Sequence, residues 1–228
     1  DPERLLALTT YGVLSTFDHG GRWDWICSES VGYDADLEDP VGVVMADGSI
    51  AVGVFDGLSV SASDACDWSY QGGELQNRNF VDVVREADPS AAVALSSNGV
   101  GVSEFAVNLW ESSDNAQTWA KLPTSGLPVD FLAVTLGLPL SDSKRLYLSG
   151  RDGTGDMDVE GVLYRSDDRG QNWSRFPVPF SVPGTNDQLL PYIAGVDPID
   201  PDSLYVAVIG SKPDGTTYFG LQHSGDAG

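Results

Sequence analysis

Basic residues are scarce in this sequence: 12 Lys and Arg stand against 34 Asp and Glu, a formal charge of -22 at pH 7. A surface this acidic repels phosphate backbones and anionic lipid, so charge argues against nucleic acid and membrane surfaces as partners. The acids are scattered along the chain, as on a solvated surface, and form no acidic tail. No apolar run reaches the ~20 residues that a membrane-spanning helix needs. No stretch keeps a 3.6-residue apolar period either; RNFVDVVREA comes nearest, and its place in the pattern described below assigns it to a strand. Gly-rich phosphate loops, nucleophile elbows and CxxC pairs are all missing. A leader is missing too, but the chain opens with DPERLLAL, already inside a repeat. The start therefore reads as trimmed, and the missing leader carries no information about export.

What the sequence has is a repeat. RSDDRGQNW places Ser166, Asp168, Gly170 and Trp173 at fixed spacing, and STFDHGGRW does the same with Thr16, Asp18, Gly20 and Trp23. SSDNAQTW gives Ser112, Asp114, Ala116 and Trp119, and SASDACDW is a degenerate copy with Ser61, Ser63, Ala65 and Trp68. HSGDAG gives Ser224, Asp226 and Gly228. Upstream, four residues before each Ser/Thr, stand Gly12, Gly57, Asn108, Gly161 (five before) and Gly220. The Ser/Thr positions recur at intervals of 45, 51, 54 and 58 residues, each interval holding alternating apolar runs broken by Asp-Pro, Asp-Gly or Asp-Ser. Four short strands per interval is the period of a propeller blade and not of a helical solenoid. The first unit, DPERLLALTTYGVLSTFDHGGRW, lacks its first strand. Each repeated segment is expected on the hairpin between third and fourth strands. There the glycine takes a positive φ, the aspartate accepts backbone N–H groups, the hydroxyl ties the loop, and the tryptophan seals it against the sheet.

The pattern S/T-x-D-x-G-x-x-W at the hairpin of a four-stranded unit closely resembles the Asp-box (BNR) repeats, and the resemblance covers essentially the whole chain, including VDPIDPDSLYVA at 196–207. It implies an all-β propeller of four-stranded antiparallel blades with Asp-box hairpins. The expected organisation is one propeller region over 1–228, with boxes at 16–23, 61–68, 112–119, 166–173 and 224–228, read as part of a larger ring continuing beyond 228, with a small closed ring using both terminal pieces as the alternative. Such propellers occur in sialidases, xyloglucan-degrading glycosidases, sortilin-like receptors and photosystem II assembly factors, so fold follows from the resemblance and function does not. Box residues in these families are structural, so Asp18, Asp114, Asp168 and Asp226 are not expected to be catalytic.

Two cysteines are present, Cys27 and Cys66, both near box residues of successive repeats. A disulfide between them is expected; it would close a loop of about 40 residues and stabilise the fold by about 4 kcal/mol on the chain-entropy model. With the charge, it points to a secreted, periplasmic or cell-surface protein. The loop RDGTGDMDVEG gathers Asp152, Asp156, Asp158 and Glu160; without EF-hand spacing it reads as an acidic loop with no cofactor, and calcium, which such oxygens would suit, is the alternative. His19 and His223 have no partner at metal-ligand spacing and read as turn residues.

An arginine triad of the sialidase kind has little support among nine arginines; in SRFPVP, Arg175 follows Trp173 on an outer strand and reads as an exposed side chain. A glycosidase needs two carboxylates about 5–5.5 Å or 6.5–9.5 Å apart. Asp82, Asp130 and Asp187 lie near first strands and are the first acids to inspect. Trp110 takes the slot of Leu14 and Tyr164 and should pack between blades. Trp25 and Tyr70, just beyond the first two box tryptophans, fall on outer strands where packing is the default role and sugar binding the functional one. The preferred function is a non-catalytic binding or scaffolding propeller for a protein or glycan, its other partners being the remaining blades. The alternative is part of a xyloglucanase- or sialidase-like glycoside hydrolase.

Overall fold

The structure, a computed structural model, describes residues 4–9, 12–62, 65–153, 159–178, 190–211 and 214–228. It is an all-β, propeller-like arrangement of mostly four-stranded antiparallel sheets, each an up-and-down meander. The chain divides into two compact units, one of 1–96 with 109–121, the other of 97–108 with 122–228.

In the first unit, β1 (Leu5–Thr9), β2 (Gly12–Thr16) and β3 (Asp24–Ile26) form a three-stranded sheet, as expected for a repeat lacking its first strand. A single helical turn, α1 (Ser28–Val31), leads towards β4 (Val41–Val44), β5 (Ile50–Val54), β6 (Gly57–Ser61) and β7 (Trp68–Tyr70), which pair in that order. Four residues carry no readable period, so α1 was not visible in the sequence. A third sheet, shared in sequence between the units, has β8 (Phe80–Arg85), β9 (Ala92–Gly101), β10 (Glu104–Ser112) and β11 (Ala120–Leu122). The RNFVDVVREA segment is thus strand, as the repeat requires.

The second unit holds β12 (Leu132–Gly137), β13 (Leu146–Asp152), β14 (Glu160–Ser166) and β15 (Ser174–Pro177) as a four-stranded sheet. It also holds a three-stranded sheet of β16 (Leu190–Val196), β17 (Leu204–Ser211) and β18 (Thr217–Ser224).

Apolar faces of successive sheets make the cores. Trp110 is buried with Leu58, Leu75, Phe80 and Ala94, which is the packing role expected of it. Val13, Val31, Tyr33, Ile50 and Val52 form a second cluster in the same unit. In the other unit Tyr147, Leu163, Leu204 and Val208 do the same. Among the described residues no helix is long and apolar enough to cross a membrane.

The expected disulfide is not formed: Cys27 and Cys66 are both thiols. Cys27 sits at the start of α1, where its Sγ–H turns to the Glu29 carboxylate, while Cys66 lies exposed in the turn before β7. Their positions in the repeat place both on one cleft, but repeat register does not fix where a side chain points. The loop-closure stabilisation and the redox argument for an exported protein fall with the bridge.

Candidate functional site

The repeated turns were the strongest signal, and their geometry explains the conserved spacing within the chain. In the turn at 166–173 the Ser166 hydroxyl donates to Asp168 Oδ1 (2.9 Å) and accepts the N–H groups of Gly170 (2.8 Å) and Asp168 (3.3 Å). Asp168 in turn accepts the backbone N–H (2.8 Å) and side-chain amide (2.6 Å) of Asn172. Thr16 and Asp18 repeat this, with Gly20 and Arg22 as donors at 3.1 and 2.8 Å. Ser112 and Asp114 repeat it with Ala116 and Thr118 at 3.1 and 2.9 Å, and Ser224 bonds Asp226 and Gly228 at 2.9 and 3.1 Å. Two consecutive left-handed residues close each turn: His19–Gly20, Asn115–Ala116, Arg169–Gly170 and Ala227–Gly228.

Two further regularities were not legible. In three copies the tryptophan is half-buried and anchored by its indole: Trp68, Trp119 and Trp173 donate Nε1–H to the carbonyls of Ala65, Ala116 and Gly170 at 2.9–3.1 Å, while Trp23 is exposed. Three of the turns also dock on the first turn of their own sheet, through N–H bonds from Asn115 to Ser90, Arg169 to Lys144 and Ala227 to Asp202 at 2.8–2.9 Å. In the degenerate copy Ser61 accepts the Ile50 N–H at 3.0 Å instead, while Ser63 lies outside the described residues. These turns knit strands together, and their carboxylates are occupied in doing so.

The hydrogen bonds hold the carboxyls of Asp18, Asp114 and Asp168 below the usual carboxylate range. In Asp18 the Arg22 N–H dominates, and in Asp168 the Asn172 side chain; in Asp114 burial opposes the shift, and the Thr118 hydroxyl and N–H outweigh it. A folded-state value below that of the unfolded chain gives stability that is fully present above about pH 4 and is lost as pH falls through the folded values. Thermal melts from pH 7 down to pH 2 should therefore show a flat midpoint to about pH 4 and a steep fall below it.

Of the proposed calcium ligands, Asp156 and Asp158 lie outside the described residues. Asp152 and Glu160 both pair with Arg175, whose guanidinium reaches Asp152 at 2.7 and 2.8 Å and Glu160 at 2.6 Å. Asp152 is buried and also accepts the Tyr164 hydroxyl at 2.6 Å. Burial pushes its carboxyl up, yet the bonds from Arg175 and Tyr164 outweigh this and hold it low. Arg175 is thus an ion-pair hub and not the merely exposed side chain its sequence context indicates. Among the acids near first strands, Asp130 accepts the Gly153 N–H (3.2 Å) and Asp82 the N–H of Val83 (2.9 Å); Asp187 lies outside the described residues. His223 stacks on Tyr205 with centroids 4.7 Å apart and bonds Ser203, and His19 occupies its turn with φ 59°.

Two clefts of the first unit lie around α1. One cleft, of about 470 Å³, is lined by Phe17, Trp25, Cys27, Ser30 and Cys66 among others. Trp25 is 62% exposed, which its expected packing role does not account for. Gly12 explains its pose: a Cβ there would come within 2.5 Å of the indole Nε1, so only glycine lets the ring lie against the end of β2. Gly57 gives Tyr70 similar room on the neighbouring sheet, a Cβ meeting its ring at 3.2 Å. This is the physical content of the glycine upstream of each of these two turns. A second cleft, of about 560 Å³, is lined by Glu29, Tyr33, Asp34, Glu38, Phe55 and Asp56 among others, with Ser28 and Glu29 of α1 on its wall. Strand alternation puts this cleft, at the β5–β6 turn and the β3–β4 connection, on the edge opposite the repeated turns. Sequence reasoning passed over this segment because its residues belong to no repeat.

No family model matches the chain, and no curated protein matches it. Solved structures do. A GH74 enzyme from Niastella koreensis aligns with a TM-score of 0.64 at 14% identity, over 100% of this chain and 35% of that one. The GH74 xyloglucanase from Xanthomonas campestris gives 0.59 at 18% identity, over 99% and 36%. The fold is that of a β-propeller. An endo-arabinase from Bacteroides thetaiotaomicron aligns less fully, with a TM-score of 0.54 at 14% identity over 83% of this chain and 75% of that one. At such identities the likeness carries the fold alone, and the chain spans about a third of the length of the two GH74 enzymes.

Proposed function

We propose that the chain is an Asp-box propeller region of a glycan-processing protein, with its repeated turns as Asp-box hairpins and the cleft at Trp25 as a sugar-binding surface. On this reading residues 1–228 form one propeller region completed by further blades, and the protein acts outside the cytoplasm. The alternative of a glycoside-hydrolase part is favoured over a free-standing binding module by the enzymes with which the whole chain aligns. The observation that carries the binding role is Trp25: a large indole face held open beside a cleft with Asp24 and Ser30 to meet hydroxyls. Sugar rings present an apolar face of C–H groups to such an indole and hydroxyls to the polar rim. The turn carboxylates are occupied structurally, and no step of hydrolysis is assigned to them.

Calorimetric titration with xyloglucan oligosaccharides tests this. Trp25→Ala should weaken binding by about 2 kcal/mol, about thirty-fold in Kd, because truncating a central aromatic anchor has that cost. Its melting midpoint should stay close to that of the parent, since the indole is mostly exposed. No binding by the parent chain, or equal binding by the variant, would refute the reading.

A further inference from the structure

We propose that the carboxylate-lined cleft beside α1 binds an organic cation carrying primary ammonium groups. The site is separate from the Trp25 cleft and its assignment does not depend on the glycan reading. Glu29, Asp34, Glu38 and Asp56 line it, and no Lys, Arg or His does. Among the described residues no three His, Cys, Asp or Glu side chains converge as a metal ion requires, so these charges are spread along the cleft. That spacing suits an extended cation with several N–H donors.

Each wall contributes something an ammonium group uses. The β5–β6 turn supplies Asp56, whose carboxylate accepts no hydrogen bond from any described residue, and Phe55, whose ring is 51% exposed. An ammonium or its alkyl stem can lie on such a ring face. The β3–β4 connection supplies Glu38, one of whose oxygens takes the Phe55 N–H while the other remains for a ligand. It also supplies Tyr33, which is 7% exposed and whose hydroxyl has no partner. Its ring is part of the apolar core while the residue lines the cleft, and Glu38 is the first charge that acts on its phenol. A buried hydroxyl without a partner is costly, and a donor such as R–NH3⁺ would satisfy it.

The electrostatics agree with the geometry. Burial raises the Glu38 carboxyl above the usual range, despite the Phe55 N–H, with Asp56 and Asp34 adding repulsion. Burial likewise lifts the Tyr33 phenol to about 12, helped by Glu38 and Asp39. Negative charge is therefore concentrated in the cleft without a countercharge, and a cation entering it relieves the repulsion.

Titration of the chain with spermidine at low salt, followed by amide chemical shifts and calorimetry, is the test. The expected result is a single site whose shifts cluster at 28–38 and 55–56, with affinity reduced at least ten-fold in the Glu38→Gln/Asp56→Asn variant. A control removing two exposed charges that do not line the cleft, Glu104→Gln/Asp214→Asn, should change affinity less than two-fold. Tyr33→Phe should weaken binding several-fold while leaving the melting midpoint unchanged or raised, which separates ligand recognition from a structural role. Triacetylated spermidine, which keeps the length and loses the charge, should not bind. Equal losses in the control and cleft variants would overturn the site as non-specific attraction, and tighter binding of Ca²⁺ than of spermidine would overturn the ligand class.

Discussion

Replacing Gly170 by alanine should lower stability by about 3 kcal/mol, a fall in melting midpoint of about 6–12 °C for a chain of this size. Two penalties add. The residue has φ +89°, a conformation in which an L side chain is strained. A Cβ would also come within 2.3 Å of the Pro123 carbonyl oxygen, a backbone atom that cannot rotate away. The comparison that isolates the second penalty is internal to the chain. Ala116 holds the equivalent position with φ +64°, but its methyl is fully buried among Met45, Ala51, Val60 and Ala92. There the strain is offset by apolar burial; at Gly170 it is compounded by a backbone collision. Gly99→Ala serves as control, since a Cβ there meets nothing within 4 Å, and its midpoint should be unchanged or slightly raised. A Gly170→Ala protein melting within about 2 °C of the parent would contradict the turn geometry.

Arg175→Ala should cost about 2 kcal/mol, or about 4–8 °C, because it strands Asp152 in a buried position with only Tyr164 as donor. The figure is kept below that of a fully buried pair because the Arg175 side chain is 38% exposed and the pair is screened on that side. The partner substitution discriminates the cause. If the loss arises from an uncompensated charge, Asp152→Asn in the Arg175→Ala background should recover part of it. If Arg175 acted only through its packing against β14, the double variant would melt no higher than the single one.

The difference between what was readable and what was not follows from the range of the interactions. The turns were legible because the whole device, hydroxyl, carboxylate, left-handed pair and tryptophan, lies within eight residues and bonds chiefly to its own backbone. Repetition then gave the strand count and the incomplete first sheet. The cleft beside α1 was illegible because its walls meet only through tertiary packing, with Glu38 accepting an N–H 17 residues away in a turn outside the repeated motif. Arg175 was misjudged for the same reason: its partner Asp152 is 23 residues distant and invisible to local pattern. The disulfide was wrong for a different reason. Position in a repeat specifies a neighbourhood, whereas a bridge requires two side chains to face each other within it.

The most direct measurement is a ¹H–¹⁵N spectrum of the tryptophan indoles during titration with a xyloglucan oligosaccharide. The six tryptophans give six indole signals, and Trp68, Trp119 and Trp173 have theirs fixed on turn carbonyls. The account predicts that the Trp25 indole shifts and saturates while those three stay still. Shifts confined to the turn tryptophans, or none at all, would contradict a sugar-binding surface at Trp25.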